Sequence, residues 1–120
     1  MRNVILGAAF ALVLPTVSAQ AQDAAAGEKA FTACKACHAF GKNGVGPNLT
    51  GVVGRKAASV EGYNYSTALM ESGITWDEAN LKEWLIGPAA NKVKGTKMVY
   101  QGLKDDKKVA DVIAYLATMK

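Results

Sequence analysis

Near the end of the chain, Val109, Val112, Ile113 and Leu116 fall at i, i+3, i+4 and i+7, the spacing of one apolar stripe on a helix. Asp105 stands just ahead of them, where a short carboxylate can accept from the free N–H groups of a first turn. A second apolar set, Leu81, Trp84 and Leu85, follows Thr75-Trp76-Asp77-Glu78. That tetrapeptide fits a capping box with Thr75 as N-cap and Glu78 reaching back, and Gly87-Pro88 closes the helix at about Ile86. Ala24 to Ala36 is alanine-rich, with Gly27 and Phe31 stacked at i, i+4, and reads as a third helix. Tyr65 to Glu71 is a shorter one, and Ala89 to Leu103 reads as loop. From Phe40 to Gly62 the periodicity fails: Gly41, Gly44, Gly46, Pro47, Gly51 and Gly54 punctuate a long segment with no strand alternation. Loops of that length are usually functional, and something must pack them from inside. The expected fold is all-α: three main helices, a short one, and long loops, in a single domain.

The N-terminal pattern is different. Met1-Arg2-Asn3 is a basic start, Val4 to Leu14 is uninterrupted and apolar or small, and Pro15 precedes the small-x-small run Ala19-Gln20-Ala21. This is the layout of a cleaved secretory signal peptide, and the apolar run is well short of the roughly 20 residues that span a bilayer. Cleavage is expected after Ala21, with Ala19 as second choice, leaving residues 22–120 as the working domain, soluble and exported, most simply to a bacterial periplasm. Hydrophobic residues make up 50% and charged residues 20%, which excludes a collagen-like, coiled-coil or wholly disordered chain. A domain near 100 residues buries only a modest core and often recruits a disulfide, a metal or a cofactor.

With two cysteines and one histidine, a site of four Cys/His zinc ligands and a framework of several disulfides are both impossible. Cys34-Lys35-Ala36-Cys37-His38 is the attachment pattern of a c-type haem. Two cysteines three apart at a helix end present both sulfurs to one side. Each can add to a haem vinyl group, and the next residue, His38, then aims its imidazole at the iron. The haem would also supply the missing core. Three other readings of the pair stand beside this one: a thioredoxin-like dithiol, which needs a strand-to-helix junction; a plain disulfide, which export permits; and a zinc site completed by a carboxylate. Because His38 is the only histidine, a sixth iron ligand would be methionine, lysine, water or nothing. Of four methionines, Met1 lies in the leader, Met119 abuts the C-terminus, Met70 falls on the short polar helix, and Met98 lies in a loop between helices. A loop methionine can bring its sulfur to a metal or simply fill a core gap.

Taken in order, Cys34-Lys35-Ala36-Cys37-His38, Gly46-Pro47-Asn48-Leu49-x-Gly51-x-x-Gly54-Arg55-Lys56, Gly62-Tyr63-x-Tyr65, Gly73-Ile74-Thr75-Trp76, Gly95-Thr96-Lys97-Met98 and Ile113-Ala114-Tyr115-Leu116 resemble class I cytochrome c. This is the family of the mitochondrial protein and its small soluble bacterial relatives, and the resemblance covers essentially all of residues 22–120. It implies the small cytochrome c fold around one covalent haem c, with Met98 as the distal ligand opposite His38. It implies that Pro47 offers its carbonyl to the Nδ1 proton of His38, fixing the ring and raising its basicity. Tyr65 and Trp76 would donate to a haem propionate, with Arg55 close by, since an unpaired buried carboxylate is costly. Gly27 and Phe31 would cross the last helix near Val112 and Tyr115. Three departures stand out: Lys94 occupies the place of the family's proline before Gly-Thr-Lys-Met, one residue is added between Pro88 and Met98, and Trp84 replaces a tyrosine near the haem.

Methionine is a soft, neutral ligand that favours ferrous iron and raises the potential. A six-coordinate site has no open position for oxygen or peroxide. The expected function is therefore one-electron shuttling and not enzymatic catalysis. The alternatives are a haem enzyme or ligand-binding protein with an open distal site, or a fixed haem subunit of a larger complex. By resemblance, the donor is a quinol:cytochrome c oxidoreductase and the acceptor a terminal oxidase or photosynthetic reaction centre. Lys35, Lys42, Lys92, Lys94 and Lys97 flank the segments expected to ring the haem edge. They would steer a chain of formal net charge +4 to acidic partners, faster at low salt. Nucleic acid binding is not expected, because no dense basic stripe is present.

Overall fold

The computed structural model describes Gly7 and residues 22–120. The predicted leader and its cleavage point thus lie, that glycine apart, outside the described residues. Among the described residues, five α-helices appear in the order α1 (Ala24–Ala30), α2 (Thr67–Glu71), α3 (Glu78–Ile86), α4 (Ala89–Lys92) and α5 (Asp106–Thr118), with a 3-10 turn over Phe31–Cys34 directly after α1. Strand content among the described residues is one isolated antiparallel bridge, Lys56 to Thr75. The all-α expectation holds, with two short helices instead of one.

The helix starts follow the carboxylates. Asp105 Oδ1 accepts from the backbone N–H groups of Lys107 and Lys108 at 3.0 and 3.2 Å, as expected of an N-cap. Asp23 does the same for α1 through Ala25 and Ala26. For α3 the expected capping box is corrected. Asp77, not Thr75, is the N-cap, its Oδ1 accepting from Asn80 N at 2.8 Å. Thr75 is committed to the bridge with Lys56, flanked by Ala57 N to Ile74 O and Trp76 N to Arg55 O, both 2.8 Å. A cap at Thr75 would require Trp76 and Asp77 to be helical, but Asp77 is extended at φ −72° and ψ 172°, so the start moves two residues on.

The first helix is also shorter than the alanine run suggests. It tightens into the 3-10 turn at Phe31, and His38 N closes on Cys34 O at 2.9 Å. Within the predicted loop 89–103, α4 forms one helical turn after Pro88, too short for any periodic signal. The long segment from Phe40 to Gly62 is irregular, as read.

The core lies between α1, α3 and α5, with Phe31, Val109 and Val112 its largest fully buried side chains. Phe31, Phe40 and Tyr115 pack as a triangle, with ring centroids 5.3, 5.5 and 5.7 Å apart. At the crossing of α1 on α5, a Cβ placed on Gly27 would lie 1.9 Å from Asp111 O and 2.9 Å from Tyr115 Cβ, so only glycine permits this approach. The crossing expected for Gly27 and Phe31 is present. Asp111, only 4% exposed, ties the pair together: Oδ1 accepts from Asp23 N and Oδ2 from Lys107 Nζ, each at 2.9 Å. No helix of the described residues is long and apolar enough to cross a membrane.

Candidate haem site

Cys34 ends the 3-10 turn, half-buried against the core, and Cys37 follows one turn later, exposed, with the two thiols unbridged. Burial, then the neighbouring Cys37, pushes the Cys34 thiol above its ordinary range. His38 is held at both ends. Its backbone N–H donates to Cys34 O, and its ring Nδ1 lies 3.1 Å from Pro47 O. A carbonyl can only accept, so Nδ1 carries the proton. Burial lowers the His38 pKa and so favours the neutral ring, with the bond to Pro47 partly opposing. A neutral imidazole protonated at Nδ1 has its lone pair on Nε2, the form a metal takes.

Gly46 completes this side. Its N–H donates to Cys37 O at 2.7 Å, and a Cβ there would come within 2.4 Å of His38 Cε1. The sequence reading treated Gly46 as loop punctuation; the structure makes it the seat of the imidazole. Its place directly before Pro47 was the available signal.

Arg55 donates through its two terminal nitrogens to Thr50 O and Asn48 O, each at 3.0 Å, while its Nε is buried with no partner among the described residues. Burial draws the guanidinium below its usual range, with the nearby Tyr65 opposing. Tyr65 is buried, and its hydroxyl accepts from Val60 N at 3.1 Å, which leaves its own proton to donate. Trp76 is joined to Arg55 through the backbone and packs edge-on to Trp84 at 5.1 Å. The spare Nε donor of Arg55 and the hydroxyl proton of Tyr65 are of the kind a buried carboxylate needs.

Met98 is half-buried beside the core, and its Sδ accepts from Trp84 Nε1 at 3.3 Å. A thioether sulfur held this way keeps a lone pair for a metal. Met70, by contrast, is 55% exposed. The Met98 loop is tied across the molecule by Lys97 Nζ to Asn64 O at 2.9 Å. Lys104 donates to Ile86 O and Gly87 O at the C-terminal end of α3, at 2.8 and 3.3 Å. Its charge is favourable there.

The paired thiols, the oriented imidazole, the spare donor on Arg55 and the tethered thioether fit a c-type haem. When bound, that group supplies an iron that passes between ferrous and ferric by one electron. The comparisons agree. The cytochrome c family pattern matches residues 24–120. Cytochrome c2 of Blastochloris viridis is 46% identical over 119 residues, covering 97% of this chain and 92% of that protein. Cytochrome c-554 of Methylosinus trichosporium is 50% identical over 120 residues, covering 98% and 89%. The solved structure of cytochrome cH from Methylobacterium extorquens superposes with a TM-score of 0.77 at 63% identity, covering 80% of this chain and 98% of that one. With its motifs, fold and relatives in agreement, the chain belongs to the cytochrome c family, whose members carry a covalently bound c-type haem and transfer electrons instead of catalysing a reaction.

Proposed function

We propose that this chain is a one-electron shuttle whose haem is bonded through Cys34 and Cys37 and whose iron takes His38 and Met98 as axial ligands. The observation that carries the reading is the hydrogen bond from Trp84 Nε1 to Met98 Sδ, which orients the sulfur as Pro47 O orients His38. Both ligands are then fixed before iron arrives and need not move when its charge changes. Little reorganisation accompanies a ligand set that is the same in both oxidation states, which suits rapid, reversible transfer. Arg55, Tyr65 and Trp76 would hold a propionate through the donors described above.

The signal-peptide pattern of residues 1–21 supports export to the periplasm. The proposed donor is a quinol:cytochrome c oxidoreductase, and the proposed acceptor a terminal oxidase or photosynthetic reaction centre. Lys35, Lys42, Lys92, Lys94 and Lys97 are all exposed, and the single ion pair among the described residues, Lys107 with Asp111, involves none of them. Their uncompensated charge supports brief electrostatic docking to acidic partners, with association slowing as salt rises.

The near-infrared sulfur-to-iron charge-transfer band of the oxidised holoprotein tests the ligand set. The band is expected in the wild type at neutral pH and is expected to vanish in Met98→Ala. Its persistence in that variant, or its absence from the wild type, overturns the assignment.

A further inference from the structure

The Met98 loop lacks the proline that would restrict φ ahead of Gly95, since Lys94 stands there. Gly95 and Gly102, at φ 87° and 109°, bracket it with conformations few other residues adopt. Local chain stiffness therefore cannot be what holds Met98 in place. The end of α3 offers another means. The last carbonyls of a helix have no partner within it, and here the loop supplies the partners. Leu103 N donates to Leu85 O at 2.9 Å, Tyr100 Oη donates to the same oxygen at 2.5 Å, and Ala89 N returns a bond to Tyr100 O at 3.0 Å. A carbonyl has two lone pairs, so Leu85 O can take both donors.

Trp84 and Leu85 are consecutive. The indole of one meets the sulfur of Met98, and the carbonyl of the other meets the phenol two residues further along the loop. We propose that Tyr100 is a positioning residue for the sixth ligand: its hydroxyl, donated to Leu85 O, locks the Met98 loop in register with the helical turn that carries Trp84. This rests on the reading of Met98 as ligand. The packing of the ring does not require the hydroxyl, which a phenylalanine would lack while filling the same space.

The experiment is an imidazole titration of ferric holoprotein, which reports how readily the sixth position is vacated. In Tyr100→Phe the apparent imidazole affinity is expected to rise about five- to tenfold, the equilibrium equivalent of one net hydrogen bond. Val112→Ala, a core truncation away from the loop, is expected to lower the urea midpoint more while leaving imidazole affinity at the wild-type value. An unchanged affinity in Tyr100→Phe, or an equal rise in Val112→Ala, overturns the proposal. Met98→Ala separates the two levels. If it loses the charge-transfer band while Tyr100→Phe is unmoved, only the role of Tyr100 falls. If it keeps the band, the ligand assignment falls as well.

Discussion

At the crossing of α1 on α5, backbone meets backbone: Gly27 lies against Asp111 O, and Phe31, Val109 and Val112 close the space around it. Along the Met98 loop, a half-buried sulfur and a half-buried phenol are instead held by single hydrogen bonds to α3, while Val99 between them is 92% exposed. The first region is fixed by volume and the second by donors and acceptors. Close-packed interiors respond sharply to added atoms, whereas a hydrogen-bonded loop responds to the loss of one partner and can open without unfolding the rest.

The severest test of the packed side is Gly27→Ala. Its methyl group would have to displace α5 backbone, so we expect a loss of about 3 kcal/mol, seen as a lower urea midpoint, with an unaltered spectrum in whatever remains folded. Gly46→Ala sharpens the contrast from the ligand side. The Cβ would press on the His38 ring, and we expect a cost of about 1–3 kcal/mol together with a changed ferric spectrum, because the imidazole must leave Pro47 to make room. If the spectrum is untouched, the glycine is not the seat of the ring.

A smaller effect is expected from Asp111→Asn, which probes the one polar tie in the packed region. The Asp23 N–H, and then Lys107, hold the Asp111 carboxyl below the usual carboxylate range. Its folded value is thus lower than its unfolded value of about 3.9. The stabilisation is complete above that unfolded value and is lost as pH falls through the folded one. The gap in urea midpoint between wild type and Asp111→Asn should accordingly be constant from pH 7 to about 5 and narrow in more acid solution. A gap independent of pH would show that the carboxylate charge contributes nothing there.

Legibility divides along similar lines. The Cys34, Cys37 and His38 group could be read directly, because two thioethers and an adjacent imidazole demand fixed residue types at fixed spacing. Asp105 could be read because a cap and the first turn it serves are neighbours in the chain. The helix starts at Asp77 and not Thr75 because Trp76, which a Thr75 cap would need in the first turn, is tied through its N–H to Arg55 O in a distant segment, and Asp77 is extended. The early end of α1 and the single turn of α4 were missed because neither changes the hydrophobic pattern.

By itself the sequence determined the helical stripes, the caps made within one turn, and the attachment motif, since each depends on residues a few positions apart. Resemblance to a family added Met98, Pro47 and the propionate donors by position. Only the tertiary structure decided that Gly46 seats the imidazole, that the indole of Trp84 reaches the sulfur of Met98, and that Leu85 O receives Tyr100. Each of those depends on where a carbonyl, a ring or a sulfur from a distant segment comes to rest. The order of side chains does not encode such a position until the helices have packed.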